Sequence, residues 1–203
     1  MKTITVFCGS SSGRDPIYAS EAYRLGKILA RKNIHLVYGG AQVGLMGAVA
    51  DGALSEGGKV TGVIPRFLGS REIAHAGLTE LLFVETMHER KQRMYEISDG
   101  FIALPGGLGT MEEFWEMCTW AQLGLHRKPI GLLNVLGFYD HLVALLKHMV
   151  EQGLLKEDNR RLILVSSDIE DLLGQMETAA SRNQYPAGPG DVPQAPLQFR
   201  SGS

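Results

Sequence analysis

GFIALPGGLGTMEEF, residues 100–114, holds a strand-sized apolar run, a glycine-rich turn and the start of a helix. Gly100 to Leu104 is the apolar run, and apolar residues at helical spacing follow from Thr110 to Leu123. Elsewhere, too, short β-branched or apolar runs alternate with longer segments of helical period. This alternation is typical of βα units around a parallel sheet, so we predict an α/β fold.

The same reading predicts about seven strands and six clear helices. The strands are Thr3 to Cys8, His35 to Tyr38, Lys59 to Ile64, Leu81 to Glu85, Gly100 to Leu104, Pro129 to Leu133 and Leu162 to Val165. The helices are Tyr18 to Arg31, Gly44 to Glu56, His88 to Ser98, Thr110 to Leu123, Tyr139 to Glu151 and Asp168 to Met176. Residues 1–183 are predicted to form a single domain, and the Pro-, Gly- and Gln-rich residues 184–203 a flexible tail. Pro65 to Thr79 is a long irregular connection, of a kind that often covers a site.

Composition and charge limit the kinds of molecule that the protein is expected to bind. The 203 residues carry 20 Lys and Arg against 22 Asp and Glu, so no global field draws the protein to nucleic acid or to an anionic membrane. The apolar stretches are too short to span a bilayer, and the start lacks the features of a signal peptide, which predicts a cytoplasmic protein. Cys8 and Cys118 have no metal or redox spacing and are expected to be buried thiols. The expected partner is a small molecule.

Glycine- or serine-rich turns follow three of the predicted strands. They are Cys8 to Gly13, Gly39 to Gly44 and Pro105 to Thr110. In an open parallel sheet these turns share one edge, where ligands bind. Backbone N–H groups of such turns and the positive end of a helix dipole favour an anion, so we predict a phosphate site that includes Ser10 and Gly40. Each turn taken singly is equally explained as a tight strand-to-helix connection.

Two common nucleotide-binding motifs fit poorly. Gly39 and Gly44 have the spacing of a P-loop, but Leu45 and Met46 stand where Lys and Ser or Thr would hold phosphates and magnesium. After Gly107, a glutamate replaces the third glycine of a dinucleotide fingerprint. The sequence therefore disfavours a P-loop NTPase and NAD binding, and we expect neither a cofactor nor a metal.

Glu113 allows two interpretations. Thr110 and Glu113 fit a capping box, with Thr110 as the N-cap residue and Glu113 reaching back from the third helical position. A carboxylate beside a phosphate-binding turn also lies one sugar's length from the anion, where the anomeric carbon of a ribose would sit. That position suits chemistry on a glycosidic bond. The residues alone leave both interpretations open.

Pro105 to Glu113 matches PGGxGTxxE and resembles the signature of the Lonely Guy family of cytokinin riboside 5′-monophosphate phosphoribohydrolases. The resemblance extends, in family order, to Cys8-Gly9-Ser10-Ser11, Tyr38-Gly39-Gly40, Gly44-Leu45-Met46-Gly47, Met87 to Lys91 and Thr119 to Gly124. It covers about residues 3–175 and leaves only the tail uncovered. Members of that family release ribose 5-phosphate and a free cytokinin base from N6-substituted adenosine monophosphates, and many also accept AMP.

The resemblance implies a Rossmann-like, doubly wound parallel sheet with helices on both faces, in a homodimer that binds a purine nucleotide. It implies that Glu113 and Arg90 form the catalytic pair. The residues that it assigns to the 5′-phosphate are Gly106, Gly107, Gly109 and Thr110.

Several residues near Arg90 keep alternative interpretations. Without the resemblance, Arg90 with Lys91 and Arg93 would indicate a solvated basic face. Met94, one helical turn from Arg90, is a candidate for the nucleotide pocket or for the core. His88 is a candidate for contact with the base or for a structural hydrogen bond.

Two rival functions remain from the sequence. A non-catalytic nucleotide-binding or carrier protein on the same fold would bind AMP without releasing adenine. A lysine decarboxylase is the other, since that label is attached to sequences of this type. Decarboxylation of an amino acid generally uses a lysine Schiff base with pyridoxal phosphate, and no lysine here lies in a context that singles it out.

Overall fold

Seven parallel strands form one sheet in the computed structural model, which describes residues 1–69 and 74–182. The strands are β1 (Thr3–Phe7), β2 (His35–Tyr38), β3 (Val60–Pro65), β4 (Glu80–Val84), β5 (Gly100–Ala103), β6 (Ile130–Leu133) and β7 (Ile163–Ser166). Their order across the sheet is β4-β3-β2-β1-β5-β6-β7. The chain thus builds outward from β1 in one direction and then, from β5 onward, in the other.

Eight helices connect and flank the strands in the described residues. They are α1 (Pro16–Arg31), α2 (Gly44–Ser55), α3 (Arg66–Gly69), α4 (Met87–Ile97), α5 (Leu108–Gln122), α6 (Asp140–Glu151), α7 (Glu157–Arg160) and α8 (Ile169–Arg182), with a short 3₁₀ turn at Val135–Gly137. One buried cluster joins α1, α2 and α8 to the sheet, and a second joins α4, α5 and α6 to it. Helices therefore cover both faces, and the predicted doubly wound fold is confirmed.

The predicted strands are all confirmed, with each end displaced by one residue at most. The main helices are confirmed as well, but α8 runs to Arg182 rather than ending at Met176. Buried Met176 and Ala179 continue its apolar face, which explains the extra turns. The sequence reading missed α3 and α7, which are single turns. The predicted tail, 184–203, lies outside the described residues, so the division into domain and tail stays a prediction.

Capping fixes where the site-bearing helix α4 begins. The Thr86 hydroxyl accepts a hydrogen bond from the Glu89 N–H at 3.0 Å, and the Glu89 carboxylate accepts one from the Glu85 N–H at 2.7 Å. Both satisfy donors that a helix start leaves unpaired. These hydrogen bonds fix the start of α4. Arg90, the residue after Glu89, therefore lies in the first full turn of the helix.

Two glycines allow α1 and α2 to pack with their backbones in contact. A β-carbon added at Gly26 would overlap the carbonyl of Val49, and one added at Gly52 would overlap the carbonyl of Tyr23. Only glycine permits this approach. Because α2 starts at the end of the second turn, the helix contact also sets the position of that turn at the sheet edge.

The cysteines agree with the sequence expectation. Cys8 and Cys118 are free and buried. No helix within residues 1–69 and 74–182 combines the length and the apolar character needed to cross a membrane.

Candidate active site

Two adjoining cavities open at the carboxyl ends of the central strands. The glutamate cavity, about 280 Å³, is lined by Arg90, Glu113 and Thr110 among others. The aromatic cavity, about 260 Å³, is lined by Tyr18 and Phe138 among others. Both share Gly9, Ser10 and Gly107. They lie where the strand order reverses between β1 and β5, the usual ligand site of an open parallel sheet.

A larger cavity, about 630 Å³, lies at the opposite edge of the sheet. Lys2, Asn33 and Lys59, which precede or begin β1, β2 and β3, contribute to its lining. None of the predicted site residues lines it. Volume alone therefore does not identify the candidate site, and the predicted site residues that line a cavity all lie at the carboxyl edge.

The three predicted turns meet at this edge, as expected. The Gly9 N–H donates to the Pro105 carbonyl at 3.2 Å, and the Leu45 N–H donates to the Gly9 carbonyl at 3.0 Å. Gly44 has a positive φ of 61°, and a β-carbon there would overlap the backbone of Ser10. These contacts hold together the turns that follow β1, β2 and β5.

The start of α5 offers unpaired backbone donors to the glutamate cavity. The helix begins at Leu108 with Gly107 as its N-cap residue, and no side chain caps it. The N–H groups of residues 107–110 precede the first intrahelical hydrogen bond, from Met111 to the Gly107 carbonyl. Gly107, Leu108, Gly109 and Thr110 all line the cavity, so these donors and the helix dipole favour an anion there.

The capping-box interpretation of Thr110 and Glu113 is wrong. The glycine-rich turn lets the helix begin at Leu108, two residues earlier than predicted. Thr110 therefore occupies the third helical position and is buried against Gly106, while Glu113 faces the cavity from the second turn. Glu113 is left free of a capping role.

Glu113 and Arg90 form a buried ion pair. The residues are 7% and 9% exposed, and Arg90 Nη1 lies 3.5 Å from Glu113 Oε1. Arg90 Nε also donates to the Val63 carbonyl at 3.1 Å, and the guanidinium packs against Gly39, where a β-carbon would overlap it. Arg90 is thus fixed to β3 and to the turn that follows β2, and the interpretation of a solvated basic face is wrong.

Burial dominates the electrostatics of Glu113. It raises the pKa of the carboxyl above the ordinary glutamate value because an ion loses hydration there. Arg90 and Lys91 act in the opposite direction, and Glu112 and Glu116 add to the rise. A carboxylate with a raised pKa is a stronger base than an exposed one, and it stays next to a fixed cation.

The structure brings together most of the predicted phosphate residues but not all. Ser10, Gly107, Gly109 and Thr110 line the glutamate cavity, and Gly106 lines the aromatic cavity.

Gly40 and Met94 are absent from the lining of both cavities. The chain turns toward β3 at Gly40, whose φ is 80° and whose carbonyl accepts from the His75 N–H, so Gly39 faces the cavity instead. Met94 is 1% exposed and belongs to the core. His88 is exposed and lines neither cavity.

Met46, Met87 and Cys8 are among the lining residues that the sequence reading did not assign to the site. Met46 and Met87 line the glutamate cavity, and Met87 precedes Arg90 by three residues on α4, a spacing that could have identified it. Cys8 also lines it. Burial raises the pKa of the Cys8 thiol, and Glu113 raises it further while Arg90 lowers it, so the thiol stays protonated.

The sequence predicts that the Pro65 to Thr79 connection covers a site, and this stays a prediction. Residues 70–73 lie outside the described residues, and none of the described ones lines either cavity. Across the described residues, no group of three His, Cys, Asp or Glu side chains lies close enough together to hold a metal ion.

Comparison with known proteins places this site in a family. The profile of a family described as "possible lysine decarboxylase" matches residues 46–176. A cytokinin riboside 5′-monophosphate phosphoribohydrolase of Rhodococcoides fascians is 49% identical over 170 residues, which are 83% of this chain and 86% of the relative. Another from Arabidopsis thaliana is 48% identical over 176 residues, 87% and 81% of the two chains. The chain belongs to the cytokinin riboside 5′-monophosphate phosphoribohydrolase family.

Solved structures share the architecture of this phosphoribohydrolase family member. A molybdenum cofactor binding protein of Rippkaea orientalis has a TM-score of 0.66 at 21% identity, covering 87% of this chain and 95% of that one. The molybdenum cofactor carrier protein of Chlamydomonas reinhardtii has a TM-score of 0.65 at 20% identity, covering 88% and 98%. At such identities the likeness concerns the fold alone, and it agrees with the Rossmann-like sheet.

Proposed function

We propose that the protein hydrolyses the N-glycosidic bond of adenosine 5′-monophosphates, including N6-substituted ones, and releases the free base and ribose 5-phosphate. The observation that carries this proposal is the Glu113–Arg90 pair, buried in the same cavity as the unpaired N–H groups that begin α5. Anion-binding donors and a carboxylate thus line the same cavity. The relatives at 48–49% identity support the same activity.

The phosphate is held chiefly by backbone groups in this proposal. The N–H groups of Gly107, Leu108, Gly109 and Thr110 would bind its oxygens, with Ser10 contributing from the first turn. Phosphate on a helix N-terminus gains from both hydrogen bonds and the dipole. The binding energy of this remote group can be used to hold the sugar for reaction.

Glu113 and Arg90 would act on the sugar. Cleavage breaks the bond between C1′ and the purine nitrogen, passes through an oxocarbenium-like state, and ends when water adds to C1′. The Glu113 carboxylate would stabilise that positive state and accept the proton of the attacking water. The departing purine keeps the electron pair of the broken bond and takes up one proton, which balances the proton that water gives to Glu113. Arg90 stays protonated, so it would position the nucleotide and stabilise negative charge rather than donate a proton.

A lysine decarboxylase activity is disfavoured by the state of Lys91, the lysine next to Arg90. A Schiff-base lysine has to react as a neutral amine. Burial alone would lower the pKa of Lys91, but hydrogen bonds to Glu112 and Glu116 outweigh it and raise that pKa. None of the residues that line the two cavities is a lysine.

Base release from nucleotides tests the proposed function. Purified protein would be incubated with AMP, an N6-substituted AMP and adenosine, and the released base measured by chromatography. AMP should be cleaved far faster than adenosine, and ribose 5-phosphate should inhibit competitively, because the start of α5 binds the phosphate. Equal rates for AMP and adenosine would contradict the phosphate assignment. Tight binding of AMP without any adenine would indicate a carrier protein instead.

We also propose a homodimer, on the strength of the family resemblance. Leu108, 91% exposed, precedes the partly exposed Met111 and Trp115 at helical spacing on α5, and Leu123 and Leu125 lie exposed at its far end. Apolar residues exposed together on one helix are typical of a surface covered by a partner. The expectations of a cytoplasmic location and of no nucleic-acid partner stay predictions.

A further inference from the structure

Lys91 is a buried cation outside the lining of the two cavities. The residue is 5% exposed, although lysine is rarely buried without a partner. Its Nζ contacts Glu112 Oε1 and lies 3.0 Å from Glu116 Oε2, on two successive turns of α5. The ammonium group is therefore enclosed between two carboxylates of the helix that carries Glu113.

The Lys91 contacts stand beside the Glu113–Arg90 pair. Adjacent residues of α4, Arg90 and Lys91, pair with carboxylates of α5. Arg90 is already fixed to β3 through the Val63 carbonyl, so it anchors α4 to the sheet. Lys91 ties the same turn of α4 to α5.

We propose that Lys91 is a positioning residue of the reaction, which holds α4 against α5 and offsets the charges of Glu112 and Glu116 around Glu113. This inference rests on the proposed function, in which Glu113 acts as a carboxylate. It concerns a residue that touches neither cavity, and it assigns a purpose to the two acidic neighbours of Glu113.

The charge part of the proposal follows from the groups that surround Glu113. They are Arg90 and Lys91 from α4, Glu112 and Glu116 from α5, and Cys8, which follows β1. Glu112 and Glu116 raise the pKa of Glu113, while Lys91 lowers it. Without Lys91 the two acidic neighbours would act unopposed, and Glu113 would take up a proton at a higher pH.

The buried oxygen of Glu116 shows how much the arrangement depends on Lys91. Glu116 Oε2 is buried, and the Lys91 ammonium, 3.0 Å away, balances its charge. A buried ion pair of this kind is not by itself a reason for stability, since apolar replacements are often as stable. A role in setting the charge around Glu113 explains its presence better.

The test compares variants that are expected to move the acidic limb of the pH profile in opposite directions. Lys91→Met removes the charge and keeps the length of the side chain. The acidic limb of kcat/KM against pH, measured with AMP, should then move upward by about one pH unit. Glu112→Gln combined with Glu116→Gln, with Lys91 retained, should move it downward. The triple variant removes all three charges and should return the limb close to its wild-type position.

Direct titration of Glu113 gives a second readout that needs no turnover. The carboxyl carbon of Glu113 would be followed by ¹³C NMR, and its signal assigned by its loss in Glu113→Gln. The pKa of Glu113 should rise in Lys91→Met, fall in the Glu112→Gln, Glu116→Gln variant, and lie close to the wild-type value in the triple variant. Arg93→Met is the matched control, because Arg93 lies on α4 in an exposed pair with Glu96 and should shift nothing. If Lys91→Met fails to fold, the Glu112→Gln, Glu116→Gln variant still has to show its downward shift.

The outcomes separate this inference from the proposed function. A uniform fall in turnover with no movement of the acidic limb and no shift in the Glu113 titration would mean that Lys91 is merely structural, and would overturn the inference. Wild-type protein that releases no adenine would instead contradict the proposed function, while the NMR titration would still decide the role of Lys91.

Discussion

At the scale of single residues, the carboxylate of Glu113 is the group whose charge can be removed with the least change of shape. Glu113→Gln is expected to lower turnover of AMP by roughly 10²- to 10⁴-fold, because a neutral amide neither stabilises positive charge at C1′ nor accepts a proton. AMP affinity should change much less, since backbone donors hold the phosphate. Steady-state kinetics with equilibrium binding of AMP would measure both.

A matched surface variant controls for the loss of a carboxylate. Glu96→Gln lies on α4 in an exposed pair with Arg93, and it should keep the turnover and the melting temperature of the wild type. Near-wild-type turnover in a folded Glu113→Gln variant would remove Glu113 from the mechanism.

The pH dependence of the wild-type protein reports the burial of Glu113. In the proposed mechanism activity needs the ionised carboxyl, so it should be lost as pH falls through the pKa of Glu113. Because burial raises that pKa above 4.5, the acidic limb of kcat/KM should lie at a higher pH than an exposed glutamate would give. A rate profile with AMP in constant ionic strength would measure it. Full activity down to the pH of an ordinary glutamate would contradict the assignment.

The sequence predicted that Glu113 and Arg90 lie together better than it predicted their surroundings. Both residues were named from the family resemblance, and their catalytic role stays a prediction. Gly40 and Met94 were misplaced, since which residue of a turn or helix faces a cavity depends on how that element is rotated. The partners of Lys91 come from a different helix, and no spacing within one segment reveals them.

At the scale of elements, the contact between α1 and α2 is the most sensitive to a small change. Gly52→Ala should destabilise the protein by about 1–3 kcal/mol, because the new methyl group overlaps the Tyr23 carbonyl and forces the helices apart. Denaturant unfolding would measure the loss. The turn before α2 should move as well, so the affinity for AMP is expected to fall.

Gly174→Ala is the control for a glycine inside a helix. A β-carbon there meets nothing within 4 Å, so alanine should stabilise α8 by about 0.5–1 kcal/mol. A Gly52→Ala variant as stable as Gly174→Ala would show that the two helices can separate without cost.

The ends of strands and helices were predictable where the apolar character of a segment and the spacing of its apolar residues indicate the same boundary. Each strand end was found to within one residue, because every strand is an apolar run ended by Gly, Pro or polar residues. The start of α5 was not, since the Thr110 and Glu113 capping pattern competes with a glycine turn that is itself able to begin the helix. Single-turn helices such as α7 carry too few residues to show a period.

At the scale of the whole molecule, the exposed apolar residues of α5 bear on the oligomeric state. Light scattering is expected to show a dimer at working concentration. Leu123→Glu combined with Leu125→Glu should give a monomer, because buried carboxylates would lose hydration at the interface. Leu154→Glu, a change at an exposed leucine in the turn that follows α6, should leave the dimer intact. A wild-type monomer would overturn the proposal.

The position of β1 in the centre of the sheet has a consequence for how the chain folds during synthesis. β1 can pair with β2 early, but its other neighbour is β5, where Ile4 lies beside Gly100 and Phe7 beside Ala103. At ~5–20 residues per second, roughly 5–20 s pass on the ribosome before that partner exists. For that interval the nascent chain presents an open strand edge to its surroundings, which exposes it to aggregation and to chaperones before the ligand-binding edge can form.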